Sequence, residues 1–490
     1  MFRRIFFSGA SLAIAALGLA SAPAHAQTAA DVLKRASDTM GAGQLKTLRY
    51  AGDGIGFTFG QAYKPGIAWP KITVHSMTRT INYDTGSMRE EITLGRGEPR
   101  GGGGYPLVGQ QSNDQFVSAG HAWNVIGGNP AANPRFVNDR THQLWITPHG
   151  VIKAAMKNNA TVKWTKQKGG KSIAAVTFTE PGRFVATAFI DESGLVERIE
   201  SRFPDAVLGD TRSVTNYSAY RDFAGVKFPT RIQQSLGGFP VLDVTIKDVQ
   251  PNAAADIATP DAVRNAAERV VTEKVADGVW FIAGGSHNSV AIEMKDHLVL
   301  VEAPLNDGRS VPVMEAAKNL APGKKIKYVI NSHQHFDHAG GLRAAAAEGA
   351  IIVTQAGNKP FFDRVFANPN RIAPDRLAQS SKKAKIQGVK TKSVMKDSTR
   401  TIEIRRIDDS VHNNTFLMVY LPKEKLLIQA DAYTPLPPNT PPPALANANN
   451  VNLTANIESQ KLAVERILPL HGRVVPVTEL YATAKATMPK

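Results

Sequence analysis

Cysteine is absent from the 490-residue chain, which excludes disulfides, thiolate metal ligands and cysteine nucleophiles. Any metal would have to be held by imidazole and carboxylate, and stability must come from packing and such metal sites. Long apolar runs are also missing: beyond the N-terminus no stretch approaches roughly 18 uninterrupted apolar residues, so no later segment is expected to span a membrane. Acidic charge is in short supply, 42 acidic against 58 basic residues, for a net charge of +16 spread over both halves of the chain. A composition of 42% hydrophobic and 20% charged residues excludes global disorder and a fibrous chain. At this length two or three domains are expected.

Residues 1–26 read as an export signal. Arg3 and Arg4 form the basic start, Ile5 to Leu19 is mostly apolar, and Ala24-His25-Ala26 offers a small-x-small cleavage site. A mature protein starting at Gln27 in the periplasm or outside the cell follows; the competing reading is a retained N-terminal anchor. Arg3-Arg4 lacks the longer twin-arginine context. Nucleic acid is not an expected partner in that compartment, and a small molecule is. One basic run stands out, nine basic residues from Lys382 to Arg406 against Asp397 and Glu403. It reads as a solvated face or as an attractor for an anionic substrate or an acidic membrane surface.

Residues 31–49 have a weak helical period, after which alternating segments predict antiparallel strands up to about 250. Examples are Lys71 to Asn82, Thr161 to Trp164, Ile173 to Phe178, Phe184 to Ile190, Val196 to Phe203 and Val241 to Ile246. The glycine run within Arg100 to Gly109 lacks a strand–loop–helix setting and reads as a loop. The segment Tyr217 to Ile232 weakly resembles late strands of periplasmic lipoprotein-carrier-like domains. That resemblance implies an antiparallel, half-barrel-like α+β domain over 27–255, with either an apolar concavity for a lipid-like group or a filled core. The small, polar, proline-ended stretch Asn252 to Pro260 marks a domain boundary, and residues 256–270 read as the linker. From 271 to 490 short apolar strands alternate with helices: strands Val279 to Ala283, Val290 to Met294, Leu298 to Val301 and Ile326 to Ile330, and a helix from Val311 to Leu320.

Directly after the last of these strands comes His333-Gln334-His335-Phe336-Asp337-His338, which holds three of the chain's 12 histidines. In extended backbone, residues two apart face the same side, so His333 and His335 can grip one ion while a turn redirects Asp337 and His338 toward another. A serine-hydrolase reading of Gly284-Gly285-Ser286-His287-Asn288 fails at Asn288, where a glycine is needed. His121, His142, His149 and His287 are scattered and are expected to be ordinary structural residues.

The H-x-H-x-D-H run resembles the signature of the metallo-β-lactamase superfamily, and the later histidines and aspartate of that pattern occur in order: His412, Asp431 at the end of a predicted hairpin, and His471 after Ile467 to Leu470. The resemblance covers about 270–485 and implies an α/β fold, an αββα sandwich. By position it implies one metal on His333, His335 and His412 and a second on Asp337, His338 and His471, with Asp431 bridging. Two divalent ions are implied, zinc by default with iron or manganese accepted by the same donors. They would activate a water as hydroxide for attack on an ester, lactone, thioester or amide, with Asp337 or Asp431 orienting the nucleophile and handling a proton.

Tyr433 is a candidate oxyanion donor, or a packed tyrosine. The six prolines of Thr434 to Asn450 suggest a stiff pocket wall. Glu302 stands where aspartate is usual in the family and Ala430 where glycine is frequent, which puts the support of the ligands in doubt rather than their identity. Asp431 resembles the glyoxalase II and lactonase type of site more than that of dedicated β-lactamases. The alternatives are an iron-dependent oxidoreductase on the same ligands and a binding protein for a lipid-like molecule. The oligomeric state is not legible.

Overall fold

The computed structural model describes Met1 and residues 27–98, 109–166 and 169–485. The expected export signal, apart from Met1, and nearly all of the glycine run lie outside the described residues.

The strands described between Thr47 and Pro251 form one 13-stranded antiparallel sheet. Two meanders of sequence neighbours meet where Thr47–Phe57 pairs with Phe239–Pro251. Inner strands bury alternate residues, as in Phe184–Asp191 and the first part of Gly209–Phe223, so one face of the sheet is apolar. That face closes on three helices, Ala29–Met40, Val137–Trp145 and Pro148–Lys157, and Leu33, Met40, Leu144 and Ile152 share one cluster with Tyr50, Phe178 and Phe228 of the strands. The first helix begins in a capping box between Thr28 and Asp31 and stops at Gly41, whose φ is 70°. A side chain at Gly41 would also strike the carbonyl of Gly225. The helix therefore ends well before the expected 49. The expected strands are present within a few residues of the predicted bounds, and Tyr217 to Ile232 spans parts of two paired strands, Gly209–Phe223 and Val226–Leu236.

Past a short helix, Asp261–Arg264, the chain forms a seven-stranded and a six-stranded mixed sheet. Strand His297–Val301 shows how they pack: Val299 and Val301 belong to the cluster shared with Ile404, Val419 and Leu427 of the second sheet. Leu298 and Leu300 face the opposite way, onto Met314, Leu342 and Phe362 of helices. A strand buried on both faces must be apolar at every position, hence the run LVLV. The basic run now has a structural account, because Lys385–Val389 and Lys392–Lys396 are edge strands and carry Lys385, Lys392 and Lys396 exposed. Lysines on an edge discourage pairing with another chain. No helix among the described residues is long and apolar enough to cross a membrane.

Candidate metal centre

Parallel pairing of Lys325–Ile330 with His297–Val301 and Ile351–Gln355 fixes the strand end from which the histidine run emerges. Residues 333 and 335 leave that strand, and the short helix Phe336–Ala339 turns Asp337 and His338. His412 precedes strand Leu417–Leu421, Asp431 follows Leu426–Gln429, and His471 follows Arg466–Pro469.

All seven positions come together in two groups, in each of which the donor atoms lie within 4.8 Å of one another: His333, His335, His412 and Asp431 in one, His287, Asp337, His338 and His471 in the other. In the first, His412 Nε2 is 3.2 Å from His333 Nε2 and 3.1 Å from His335 Nδ1. In the second, His338 Nε2 and His471 Nε2 are 3.2 Å apart. Nitrogens bound tetrahedrally to one zinc ion at about 2.0–2.1 Å would be about 3.3 Å apart. Asp431 joins the groups: Oδ2 lies 3.1 Å from His333, 3.0 Å from His338 and 3.1 Å from His412, and Oδ1 lies 2.9 Å from His471. Both oxygens are buried and accept no hydrogen bond. A carboxylate left so would be strongly destabilising, whereas lone pairs of imidazole and carboxylate converging on common points fit cations.

The rear nitrogens are held in place. Those of His333, His338, His335 and His471 face Ser332 Oγ at 2.9 Å, Glu302 Oε2 at 2.7 Å, the Ala62 carbonyl at 3.1 Å and the Ser286 carbonyl at 3.0 Å respectively. Such partners set tautomer and ring angle and leave the front nitrogen free to ligate. Glu302 is fully buried, adopts φ 73°, and also accepts from the amide and hydroxyl of Ser332. The longer side chain at this position thus still reaches a ligand.

Burial, aided by the neighbouring His338, pushes the His333 imidazole down to about 3, so it is neutral and available as a ligand. Burial opposes charge on His338 too, but Asp431 and Asp337 outweigh it and hold that imidazole well above its ordinary range. His471 is raised by Asp431 against the same penalty. Although burial disfavours their charge, Asp337 and Asp431 are held well below the carboxylate range, chiefly by His338. The pocket requires positive charge at its centre, as protons or as metal.

His287 is a correction to the sequence reading. It is buried, its Nε2 lies 3.0 Å from Asp337 Oδ2, and its ring centroid is 4.2 Å from that of His471. Burial and His471 push it down to about 3. Its only sequence signal was its position just past strand Val279–Ala283, in a glycine-rich loop. His142 and His149 are buried in the N-terminal core as expected. Also unforeseen is a strap from the N-terminal region, the segment after Thr47–Phe57: Gln61 donates to Asp337 Oδ1 at 2.8 Å, and the Ala62 carbonyl accepts from Gln334 at 2.8 Å as well as facing His335. Phe336 packs edge-on to Phe59 and Trp69, at 5.3 and 5.6 Å. Nothing in the sequence near residue 60 marks this role.

Tyr433 is 1% exposed and packs in the core of the second sheet, its main chain gripped by Gln429. The proline-rich stretch is largely exposed and leads to helix Ala448–Ser459; it does not line the large cavity described below.

The histidine run falls within a match, over residues 282–354, to the family model of the metallo-beta-lactamase superfamily. No curated protein matches the chain. Solved structures similar to it include a metallo-beta-lactamase from Pontibacter korlensis, 16% identical, covering 44% of this chain and 98% of its own, TM-score 0.33. Metallo-beta-lactamase FIM-1 from Pseudomonas aeruginosa in its mono-zinc form is 19% identical, with 44% and 93% covered and a TM-score of 0.33. DIM-1 metallo-beta-lactamase is 17% identical, with 44% and 95% covered and a TM-score of 0.34. The resemblance read from the histidine run thus meets a match of residues 282–354, within the C-terminal region, to the model of the metallo-beta-lactamase superfamily.

Proposed function

We propose that the protein is an exported metal-dependent hydrolase with a dinuclear centre that cleaves an ester, lactone, thioester or amide. The observation that carries this reading is Asp431, whose two buried oxygens, free of hydrogen bonds, face four imidazoles drawn from both donor groups. When bound, divalent ions, zinc by preference for a thiolate-free imidazole and carboxylate set, supply Lewis acidity toward water and toward the scissile carbonyl.

The residues do the rest. His333, His335 and His412 are nearly inaccessible, whereas the side chains of Asp337 and His471 are 13% and 19% exposed, so substrate approaches from the second group. Asp337 is fixed from both sides, by the Gln61 amide on Oδ1 and by His287 on Oδ2. So held, it fixes the side of the second group at which the attacking water is oriented. Asp431 spans both groups and keeps them in register. Tyr433, sealed in the core, serves packing in this reading. The two facing sheets with helices outside them are read as the αββα sandwich of the family.

A panel of a p-nitrophenyl ester, a lactone, a thioester, an amide and a β-lactam, assayed before and after chelation, tests the reading. Turnover of one class, lost on chelation and restored by zinc, is expected. Chelator-insensitive turnover, or none with the metal bound, overturns it.

A further inference from the structure

A cavity of about 570 Å³ lies between the apolar face of the N-terminal sheet and the C-terminal region, and it ends at Asp337. That volume is typical of small-molecule sites. Its walls carry the rings of Phe59, Phe136, Phe203 and Phe336 and the side chains of Leu236 and Leu242. Most acidic groups in the wall already have partners: Glu90 pairs with Arg79, Asp375 with Arg343, Asp205 accepts from the amides of Val207 and Leu208, and Asp307 accepts from the amide of Arg376. Burial, against the pull of Arg140, pushes the remaining one, Asp139, up to about 6. Arg140 is tied to the carbonyls of Phe116 and Trp123 and to Asn124.

Arg135 differs. Among the described residues it makes no hydrogen bond or ion pair; its guanidinium lies 4.4 Å over the Phe136 ring, and the carboxylate that acts on it is Asp337. An arginine in the wall of this mixed polar and aromatic chamber without a carboxylate partner of its own can take an anion, and its planar fork suits a carboxylate. Asp337 cannot serve, because its oxygens are taken by Gln61 and His287 and its place is in the metal group.

We propose that this interdomain cavity is the binding chamber for an amphipathic anion, whose carboxylate is held by Arg135 beside Asp337 and whose apolar body lies among the phenylalanines of the N-terminal region. The proposal rests on the hydrolase reading only in calling that anion a substrate; the chamber itself is independent of turnover. It gives the N-terminal region a specificity role and ties it to the chemistry through Arg135, Gln61 and Phe59.

Binding of sodium decanoate and of 1-decanol to the full chain, measured by isothermal titration as purified and after chelation, separates the two claims. One decanoate per chain is expected in both states, which rules out a carboxylate merely ligating metal. Arg135→Ala should weaken decanoate at least tenfold and leave decanol within twofold, and Arg135→Lys should recover part of the loss. Val241→Trp, which fills the chamber, should abolish both; Leu242→Trp serves if that variant does not fold. Decanoate affinity unchanged in Arg135→Ala, binding unaffected by the filling variants, or no binding in the chelated protein overturns the chamber. Decanoate binding as expected with no hydrolysis of any ester, lactone, thioester, amide or β-lactam by the metal-loaded protein would overturn the hydrolase reading and leave the chamber standing.

Discussion

Replacing Glu302 by glutamine changes one oxygen to an amide and little else in shape, yet the geometry requires a large effect. One carboxylate oxygen faces the Ser332 amide at 3.0 Å and the Asn331 side-chain amide at 3.4 Å, while the other faces the Ser332 hydroxyl and His338 Nδ1, both at 2.7 Å. For His338 to ligate through Nε2, its Nδ1 must carry the hydrogen and needs an acceptor. A glutamine offers one acceptor face: turned toward His338, its NH2 meets the Ser332 N–H, and turned the other way it meets Nδ1–H. Either orientation leaves a buried donor against a donor, a penalty of about 1–3 kcal/mol. If the imidazole escapes by moving its hydrogen to Nε2, the ligand is lost. Metal affinity at the second group should fall about 10- to 100-fold, with the first group nearly unchanged. Competition against a graded series of zinc chelators measures this, alongside thermal melts of the metal-free variant to confirm folding. A folded Glu302→Gln protein with both affinities within twofold of the parent would refute the argument.

Three further outcomes are expected. Gln61→Ala removes the amide that fixes Asp337 Oδ1 and should lower kcat about tenfold while the fold melts within a few degrees of the parent; an unchanged kcat would show the strap to be a passive contact. Gly340→Ala would place a methyl group on the Leu305 carbonyl, inside the turn that presents His338; a loss of about 3 kcal/mol or more in denaturant unfolding is expected, and a neutral substitution would contradict the turn geometry. Burial holds His142 and His149 neutral down to about 3 and about 4. The unfolded chain binds protons from about pH 6.5 downward, so each histidine adds stability above that pH and loses it on acidification, by about 1.4 kcal/mol per pH unit. Unfolding of the N-terminal region at pH 7.5 and pH 5 should differ by about 4 kcal/mol, and His142→Gln should remove about half of this; a flat profile would count against it.

The histidine run was legible because strand periodicity and its spacing place four donors, His333 to His338, within eight residues of the strand end at Ile330, and the family pattern then pointed to His412, Asp431 and His471. His287 was not, since it approaches from a different strand and no spacing relates it to the others. Gln61 and Ala62 were invisible for a deeper reason: their role depends on how the N-terminal sheet is seated on the second region, a property of tertiary packing that local sequence does not encode. The same holds for the pairing of Thr47–Phe57 with Phe239–Pro251, which joins two meanders far apart in the chain. Helices Val137–Trp145 and Pro148–Lys157 were missed because they bury polar residues, Arg140, His142, Gln143 and His149, which blur the apolar period. By contrast LVLV at 298–301 was readable as a strand because burial on both faces leaves no polar position.

The central claim is that Asp431 joins two cation sites, and native mass spectrometry of the zinc-reconstituted protein beside Asp431→Ala tests it most directly. The account predicts two zinc ions per chain in the parent and a loss of occupancy at both sites together in the variant. A parent that takes up none or only one, or a variant that keeps two, would contradict it.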